Sequence, residues 1–404
     1  MGSPTDSDFE GGKTLFLRGV AALEAGQFDS AESCFLESLT LVPGRVSTLL
    51  NLAAARLLRG DGHGAIDAAR QVHAIEPRNA EAALHEASSL VLLGQHADAL
   101  EAWTRALAFG APPASTWLRH GESLQALGRS TQALGSFDRA LAADPSLAQA
   151  WTHRGNLLRE MHRASEAAEA FRQALHHGGD AELLGYYLAS LGGAALPDIA
   201  PPHYVATLFD DYAEEFDRHL VGTLKYDAHR VLTAPLSGFG REPYARAIDL
   251  GCGTGLCGTL VEPLVQQLEG VDLSARMLQK AAQLGVYDRL SQGDIVAYLA
   301  ASTGPVDLLL AADVFIYIGE LEPVFGAARR VIADNGLFCF SAELLDHGKH
   351  DFRLLPSLRY AQSERYLLRL AQQHGFEVLK SFRAPIRKDQ ELPVEGVFMY
   401  LGAA

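Results

Sequence analysis

A 34-residue period runs through the first half of the chain and constrains its fold more than any other feature. Glycine recurs at this interval in four places and alanine in five, at constant offsets from each other. The glycines are Gly26, Gly60, Gly94 and Gly128, and the alanines are Ala31, Ala65, Ala99, Ala133 and Ala167. Glycine accepts the left-handed backbone conformation that ends a helix. A period of this length predicts a stack of helix pairs.

Bulky residues and prolines follow the same interval. Large side chains that would fill the groove between helices are Phe35, Trp103, Phe137 and Phe171, with Ala69 as the weak exception, and the prolines are Pro43, Pro77 and Pro145. Proline stops each unit because it cannot continue a helix interior. The pattern resembles a tetratricopeptide repeat array, an α-solenoid of about five repeats. A further helix over residues 180–191 is predicted to cap the stack.

The repeat domain is predicted to span residues 12–192, and residues 193–202, which are rich in glycine and proline, form a linker. Repeats of this kind are interaction surfaces more often than catalysts, so we expect the array to bind a protein partner or to assemble a homo-oligomer. One alternative is a surface for an acidic peptide built from Arg18, Arg119, Arg154 and Arg159. Solvated helix faces account for these arginines more simply.

Composition excludes several classes of function. The chain of 404 residues has a formal net charge of −15, and both halves are acidic, so nucleic acid is not an expected partner. No apolar run approaches the roughly 20 residues of a membrane span, and no secretory signal is visible, so the predicted location is cytoplasmic. The four cysteines form no CxxC pair and complete no zinc pattern, so no metal site is expected.

The second half alternates between apolar strands and helices, which predicts a doubly wound parallel sheet. Residues 245–250 run into a glycine-rich turn at 251–258. Acidic residues fall at the carboxyl ends of four predicted strands, at Asp249, Asp272, Asp313 and Glu343. Ligands of such sheets bind beyond these ends. The candidate site therefore lies at this edge of the sheet.

Two cofactor classes compete for the glycine-rich turn. The residues Gly253, Gly255 and Gly258 match the dinucleotide pattern GxGxxG, with Asp272 at a suitable distance downstream. The fuller pattern begins with Asp249, two residues before Gly251. A carboxylate at that position suits a cationic amino-acid group better than a pyrophosphate.

Residues 203–404 resemble a class I S-adenosylmethionine (SAM) methyltransferase, on the motif order Asp-x-Gly-x-Gly-x-Gly, Gly-Val-Asp272-Leu-Ser, Gly-Asp294 and Ala-Asp313-Val. With the repeats, the whole chain resembles bacterial tetratricopeptide-containing methyltransferases. The resemblance implies a Rossmann-like domain with a seven-stranded, mostly parallel sheet. It also implies SAM as cofactor and S-adenosylhomocysteine as product.

The resemblance implies a role for each matching residue. Asp272 accepts hydrogen bonds from the ribose hydroxyls, Asp249 supports the turn and the methionine ammonium group, and Asp294 accepts from the adenine amino group. The other implied cofactor contacts are Gly251, Cys252, Gly253, Gly255, Leu273, Met277, Ile295 and Ala311. Residues 208–217 resemble a helix that folds over the cofactor, with Phe209, Tyr212 and Phe216 as its lid; the alternative is a plain amphipathic helix.

Methyl transfer forces no catalytic residue on the fold, because a base matters only where the acceptor must lose a proton. The candidates near the acceptor are His347, His350, Tyr317 and Tyr360 as catalytic groups, and Asp313, Glu343, Arg353, Arg359 and Ser363 as substrate contacts. Surface histidines, helix packing and solvent-exposed ion pairs are the alternatives. The stretch from Ala312 to Phe315 lacks the Asn/Asp-Pro-Pro-Tyr/Phe motif of enzymes that methylate nucleobase or glutamine amino groups.

Two functional hypotheses follow. In the first, the enzyme methylates a small molecule or a carrier-bound substrate, and the repeat array serves docking or oligomerisation. In the second, the enzyme methylates a protein that the repeat groove recruits. A scaffold with a purely structural SAM domain fits less well, because the cofactor motifs are intact.

Overall fold

A computed structural model describes residues 5–214, 216, 225–345, 350–389 and 392–403. The chain divides into two compact units, Met1–Asp180 and Ala181–Ala404. The first unit is helical throughout its described part, and the second contains every strand found in the described residues. The predicted fold class, a repeat array followed by a mostly parallel seven-stranded sheet, is confirmed.

Ten helices form the described part of the first unit. They are α1 (Asp6–Glu24), α2 (Phe28–Leu41), α3 (Val46–Arg59), α4 (Gly62–Ile75), α5 (Ala80–Leu92), α6 (His96–Ala108), α7 (Pro113–Ala126), α8 (Ser130–Ala143), α9 (Ala148–Glu160) and α10 (Ala164–His176). Successive helices pack in pairs, α1 with α2 through α9 with α10. The 34-residue period is therefore one helix pair.

The turn inside each pair requires a left-handed residue. Gly60 ends α3 with a φ of +90°, and the other three periodic glycines also have positive φ. In the fifth pair the same position holds His162, which adopts a φ of +58°. A side chain in this conformation is strained, because its Cβ crowds the following carbonyl oxygen. The period thus preserves the backbone turn even where glycine is replaced.

The large periodic residues pack against small ones in the preceding helix. A Cβ added to Gly121 would lie 2.5 Å from the ring of Phe137, and Gly19 and Gly155 have the same relationship to Phe35 and Phe171. In the second pair, where the large residue is replaced by Ala69, the small partner is Ala53. The sizes on the two helices are therefore matched within each repeat.

The second unit contains nine strands in its described part. They are β1 (Ala247–Leu250), β2 (Leu268–Asp272), β3 (Arg289–Gln292), β4 (Val306–Ala311), β5 (Ile332–Glu343), β6 (Phe352–Leu354), β7 (Tyr360–Gln362), β8 (Phe376–Asp389) and β9 (Leu392–Ala403). The helices are α11 (Ala181–Ser190), α12 (Pro202–Tyr212), α13 (Ala228–Thr233), α14 (Gly258–Val261), α15 (Ala275–Leu284), α16 (Ile295–Ala301), α17 (Glu322–Val331) and α18 (Glu364–Gln373).

Seven strands form one sheet in the order β3-β2-β1-β4-β5-β9-β8. The first five are parallel to one another, and β9 runs antiparallel to both β5 and β8. Two apolar clusters pack on the sheet, one containing Phe325 and Phe338 and the other containing Tyr244 and Leu310. The strand order reverses between β1 and β4, which is the point where open parallel sheets bind ligands.

Helix α11 groups with the second unit, whereas the sequence predicted it as the cap of the repeats. The Tyr186 hydroxyl donates a hydrogen bond of 2.6 Å to the carbonyl of Leu358, and the Tyr186 ring lies 5.7 Å from that of Tyr204. These buried contacts are aromatic and long-range in sequence, so helical periodicity does not reveal them. The boundary of the compact units falls at Asp180/Ala181 instead of after residue 192.

Candidate functional site

A cavity of about 380 Å³ lies in the second unit at the carboxyl ends of β1, β2 and β4. The glycine-rich turn after β1 forms one wall, and the aromatic face of α12 forms another. The volume is in the range of small-ligand sites in proteins. Because the cavity lies where the strand order reverses, the sheet topology alone makes it the candidate site.

Three glycines of the turn, Gly251, Gly253 and Gly255, have positive φ, and the first two serve different purposes. Gly251 has a φ of +66°, and a Cβ there would lie 2.6 Å from the side chain of Val314. Gly253 has a φ of +55°, lines the cavity and has open space where a Cβ would be. A side chain at residue 253 would therefore project into open space at the cavity wall. The backbone at this position is accessible to a ligand.

The Asp272 carboxylate lies at the end of β2 and is fixed by two backbone amides. Its Oδ2 accepts a hydrogen bond from the Gly253 amide at 2.9 Å, and its Oδ1 accepts from the Ser274 amide at 2.9 Å. Burial raises the pKa of Asp272, although the amides act in the opposite direction. A carboxylate has about four lone-pair positions, so these two bonds leave acceptor capacity at the cavity wall.

Asp249 is buried in β1 and accepts a hydrogen bond of 2.7 Å from the Tyr287 hydroxyl. The pKa of Asp249 is raised to about 7, because burial and the nearby charge of Asp272 raise it more than the Tyr287 hydrogen bond lowers it. Among the described residues, no arginine or lysine forms an ion pair with this carboxyl group. A ligand cation beside Asp249 would stabilise the charged form.

Helix α12 is held over the loop that follows β2. The Asp210 carboxylate accepts a hydrogen bond of 2.6 Å from the Ser274 hydroxyl and one of 3.1 Å from the Arg276 amide. The predicted lid residues Phe209, Tyr212 and Phe216 all line the cavity. The ring of Phe216, which follows α12, lies 5.8 Å from that of Phe209 and 5.5 Å from that of Tyr212. These three aromatic side chains thus line the cavity together.

A third part of the wall comes from the start of α16. Asp294 accepts a hydrogen bond of 2.8 Å from the Ala297 amide through its Oδ1, which caps the helix. Asp294 lines the cavity together with Leu273 and Ile295. Three other predicted cofactor contacts do not line it, because Met277 is a buried residue of α15, Ala311 is buried at the end of β4, and Gly255 faces Leu284.

The end of the cavity beyond β4 carries charged groups. Arg387 donates from one nitrogen to both oxygens of Asp313 at 3.0 Å, and from another nitrogen to Glu343. Burial alone would lower the pKa of Arg387, but the two carboxylates raise it; burial raises that of Glu343. Asp313 itself has a φ of +58°. One arginine therefore holds two carboxylates from different strands at this end.

Tyr317 lies beside this charged group and lines the cavity with Arg359. Its ring is 5.6 Å from that of Phe209, and burial raises its pKa to about 12. Tyr317 therefore remains protonated at neutral pH and can donate a hydrogen bond to a ligand. The loop that carries it is fixed by Gln362, whose amide donates to the carbonyls of Phe315 and Ile318 at 3.0 and 2.8 Å.

Several predicted catalytic and substrate residues do not line the cavity. Tyr360 is buried and donates to the Pro197 carbonyl at 2.7 Å, Ser363 caps α18, and Glu343 reaches only Arg387. Arg353 lies in β6, and His350 is exposed. His347 lies outside the described residues. Residues 352–362, which include predicted catalytic and substrate residues, form the β6–β7 hairpin beneath the Tyr317 loop.

Sequence reasoning missed several residues at the site, including Arg387, Tyr226, His229 and Tyr287. Arg387 arrives from β8, and Tyr226 and His229 line the cavity with stacked rings 5.3 Å apart. Tyr287 supports Asp249 from outside the cavity. Tyr226 precedes α13 and His229 lies in its first turn, so no helical spacing in the sequence marks the pair. Arg387 likewise has no signal in its own segment.

The family profiles agree with these two units. The profile described as a methyltransferase domain matches residues 248–340, and the tetratricopeptide repeat profile matches residues 16–74 and 118–182. The chain combines a tetratricopeptide repeat region with a methyltransferase domain. The first match covers the turn after β1, β2 and β4, which together form the floor of the cavity.

Individual relatives match either one region or the other. Over 132 residues the chain is 33% identical to malonyl-[acyl-carrier protein] O-methyltransferase of Geobacter sulfurreducens, which is 30% of this chain and 49% of that protein. Over 61 residues it is 41% identical to tetratricopeptide repeat protein 36 of Mus musculus, 15% of this chain and 33% of that protein. The chain thus spans between a third and a half of the length of these curated relatives.

A solved structure of magnesium protoporphyrin IX methyltransferase from Synechocystis PCC 6803, with bound S-adenosylhomocysteine, is similar over 50% of this chain and 99% of that one. The identity is 16% and the TM-score is 0.40.

Within the part of the chain that the structure describes, no helix is long and apolar enough to span a bilayer. The same residues contain no group of three histidine, cysteine or acidic side chains suited to a metal ion.

Proposed function

We propose that the methyltransferase domain binds SAM in the cavity at the ends of β1, β2 and β4 and methylates a small or carrier-bound acceptor there. The observation that carries this proposal is the Asp272 carboxylate, held by the Gly253 and Ser274 amides at the cavity wall with acceptor capacity to spare. Two adjacent hydroxyl groups of a ribose are suitable donors to such a carboxylate. When bound, SAM supplies an electrophilic methyl group on a sulfonium leaving group.

The remaining cofactor contacts follow from charge and shape. Asp249 forms no ion pair with a cation of the described residues and would accept the ammonium group of the cofactor's methionine part. Asp294, with one oxygen already capping α16, would accept from the adenine amino group through the other, beside Ile295. The open space at Gly253 lets the backbone approach the ligand. The rings of α12 would cover the site and exclude water.

The acceptor would lie at the Tyr317 end of the cavity. Tyr317 stays protonated and would orient the acceptor with a hydrogen bond, and Arg359 would bind an anionic group on it. Asp313 is held by Arg387, so its position is fixed before an acceptor enters. Alignment of the acceptor with the methyl group then supplies most of the catalysis. No described side chain is assigned as an essential base.

A carrier-bound acid is the acceptor class that fits this end best. The cavity volume of about 380 Å³ suits a small molecule or a narrow attached group better than a folded protein surface. The relative from Geobacter sulfurreducens is named for methylating an acid on an acyl-carrier protein. Arg359 is the lining residue that would recognise the carboxylate of such a substrate. The repeat region would then serve as the docking surface for the carrier or for another partner.

Methylation of a protein is the second candidate function. Tetratricopeptide repeats provide protein-binding surfaces, and the repeat region occupies nearly half of the chain. A recruited protein could insert a single side chain past Tyr317. This alternative requires the acceptor's backbone to remain outside the cavity.

Labelled methyl transfer distinguishes the two candidates. The full chain is incubated with methyl-labelled SAM and a cell extract, and the products are separated into small molecules, carrier-attached groups released by mild base, and base-stable protein. Label in either of the first two fractions supports the proposal. Label only in base-stable protein supports the alternative. Absence of SAM binding by calorimetry, in a chain shown to be folded, would overturn both.

A further inference from the structure

A second concave site lies in the repeat region, between α6, α7 and α8. It is an open groove of about 790 Å³, and we name it the arginine groove after Arg105, Arg129 and Arg139, which line it. Helix α7 forms the floor through His120 and Leu124, and α6 and α8 form the two sides. Its residues belong to the third and fourth repeats only. The groove is separate from the methyltransferase cavity, and nothing in the proposed reaction uses it.

Two of the three arginines have no carboxylate partner. Arg105 donates to Glu86 at 2.6 Å, whereas no acidic group among the described residues lies within ion-pair distance of Arg129 or Arg139. Other arginines of the same repeat region are neutralised locally, such as Arg163 by Glu166 and Arg172 by Glu169. One acid, Glu101, lines the groove at an exposed position. An excess of positive charge thus faces one groove of a chain with a net charge of −15.

Both unpaired arginines are held in place by neighbouring side chains. The Arg139 guanidinium lies over the ring of Trp117, 4.5 Å from its centroid, and Arg129 donates through Nε to Gln132 at 2.5 Å. Stacking on a ring leaves the N–H edge of a guanidinium free for hydrogen bonds. Arg129 likewise retains its terminal nitrogens. These side chains therefore present donor pairs that need little further ordering to bind an anion.

The electrostatic environment of His120 reports the same excess charge. Burial lowers the pKa of His120, and the charges of Arg139 and Arg129 lower it further. The His120 ring nitrogen Nδ1 lies 3.0 Å from the Ser136 hydroxyl, on the floor of the groove. Both arginines therefore act on the same lining residue of the groove.

Gly135 keeps the groove open at the middle of α8. It lines the groove, and a Cβ added to it would meet no atom within 4 Å. Glycine inside a helix costs about 1 kcal/mol relative to alanine. The equivalent residues one repeat earlier and later are Glu101 and Glu169, so the repeat period does not require glycine here. No packing contact accounts for this glycine, but space for a ligand does.

We propose that the arginine groove binds an acidic segment of a partner polypeptide, with Arg129 and Arg139 each holding a carboxylate. Charge complementarity selects the partner, because the paired nitrogens of guanidinium match the two oxygens of a carboxylate. A nucleic acid fits less well, since the surrounding chain is acidic and would repel an extended polyphosphate. The two carboxylates would come from one extended segment of the partner. This segment would lie in the groove over α7, between α6 and α8.

Binding of a fluorescently labelled oligoglutamate peptide to the full chain tests the proposal. We expect saturable binding at low salt, and the double variant Arg129→Gln/Arg139→Gln should weaken it by at least about tenfold. The matched control is Arg163→Gln/Arg172→Gln, which changes the net charge equally but removes arginines that are already paired. The control should retain affinity within about twofold. Equal losses in the two double variants would mean general charge attraction and would overturn the groove.

A third variant tests the space without changing the charge. Gly135→Leu would project a side chain into the open groove and should improve helix propensity, so it is expected to fold and to lose peptide binding. Retained binding in this variant, with an unaltered melting temperature, would place the peptide elsewhere. Two other results would also contradict the proposal: equal binding of a single-stranded oligonucleotide, or a self-association of the full chain that the double variant abolishes.

Discussion

The guanidinium of Arg387 donates to both carboxylate oxygens of Asp313 at 3.0 Å, from a strand 74 residues further along the chain. The Arg387 side chain is only 2% exposed and also holds Glu343. Replacing it with methionine would leave two buried carboxylates without a cation. We expect Arg387→Met to lower the free energy of unfolding by about 3–5 kcal/mol, measured by urea denaturation.

The matched control for Arg387→Met is Arg383→Met in the same strand. Arg383 pairs with Glu364, and its side chain is 59% exposed, so its loss should cost less than about 1 kcal/mol. Similar losses in the two variants would show that the buried pairing contributes no more than a surface one.

The raised pKa of Asp249 predicts how the affinity for SAM changes with pH. In the free chain this carboxyl group titrates at about 7, and a ligand ammonium group would lower its pKa. Binding would then release a proton below pH 7, so the affinity should rise with pH from 5.5 to 7 and level off above that value. Calorimetry in buffers of different ionisation enthalpy measures the proton release. Asp249→Asn should flatten the profile, and an unchanged slope in that variant would assign the titration to another group.

Stability of the free chain should show the same titration with the opposite sign. Asp249 has a folded pKa of about 7, above the 3.8 of an exposed aspartate, so its neutral form stabilises the fold at low pH. That contribution is complete below pH 3.8 and is lost as the pH rises through 7. The unfolding free energy of the wild type relative to Asp249→Asn should therefore fall over this interval. A difference that is constant across the interval would contradict the assignment.

Asp272 should dominate recognition of the cofactor's ribose. Asp272→Ala removes an acceptor for two backbone amides and for the proposed hydroxyl groups, so SAM affinity should fall by about 1–3 kcal/mol. Asp334→Ala, at an exposed residue in β5, is the control and should bind normally. Unaltered affinity in Asp272→Ala would refute the ribose assignment, and circular dichroism would show whether the fold is intact.

The packing of Gly121 against Phe137 predicts a strong coupling between them. Gly121→Ala places a methyl group 2.5 Å from the ring, and such overpacking typically costs about 1–3 kcal/mol. Adding Phe137→Ala creates the pair of alanines that the second repeat already has at Ala53 and Ala69. The double variant should therefore be more stable than the sum of the two single losses predicts. Additive losses in thermal unfolding would argue against direct packing.

His162 offers the opposite test, a substitution that should stabilise the chain. It has a φ of +58° at the position where four earlier repeats have glycine, and its side chain is exposed. His162→Gly should remove the conformational strain and raise the unfolding free energy by about 0.5–1 kcal/mol. His162→Ala keeps a Cβ and serves as the control. Equal stability of the glycine and alanine variants would exclude strain at this turn.

The repeat region was predictable because its information is local. Gly60 ends its own helix, and Phe137 packs against Gly121 in the helix just before its own, so both contacts recur at a fixed period along the sequence. The core of the methyltransferase domain was predictable for a related reason. Asp249 and Asp272 follow apolar strands directly, and parallel strands bring their carboxyl ends to one edge.

The acceptor end could not be predicted in the same way. Arg387 reaches Asp313 from β8, the edge strand that pairs with β9, and the β8–β9 ladder changes register between Pro385 and Arg387. Tyr360 has a side chain that is common in functional sites, yet its hydroxyl donates a hydrogen bond to the Pro197 carbonyl. Long-range strand pairing determines the positions of Arg387 and Tyr360. Residue spacing within one segment does not predict such pairing.

The position of β9 between β5 and β8 also sets an order of assembly during synthesis. β8 is synthesised before β9, but β8 can join the sheet only through β9, which pairs with β5. Arg387 therefore has no place in the sheet until β9 has been synthesised. Asp313 and Glu343 lack their cation throughout that interval. The acceptor end of the methyltransferase cavity therefore depends on β9, the last strand of the described chain, whereas the cofactor end is built from β1, β2 and β4.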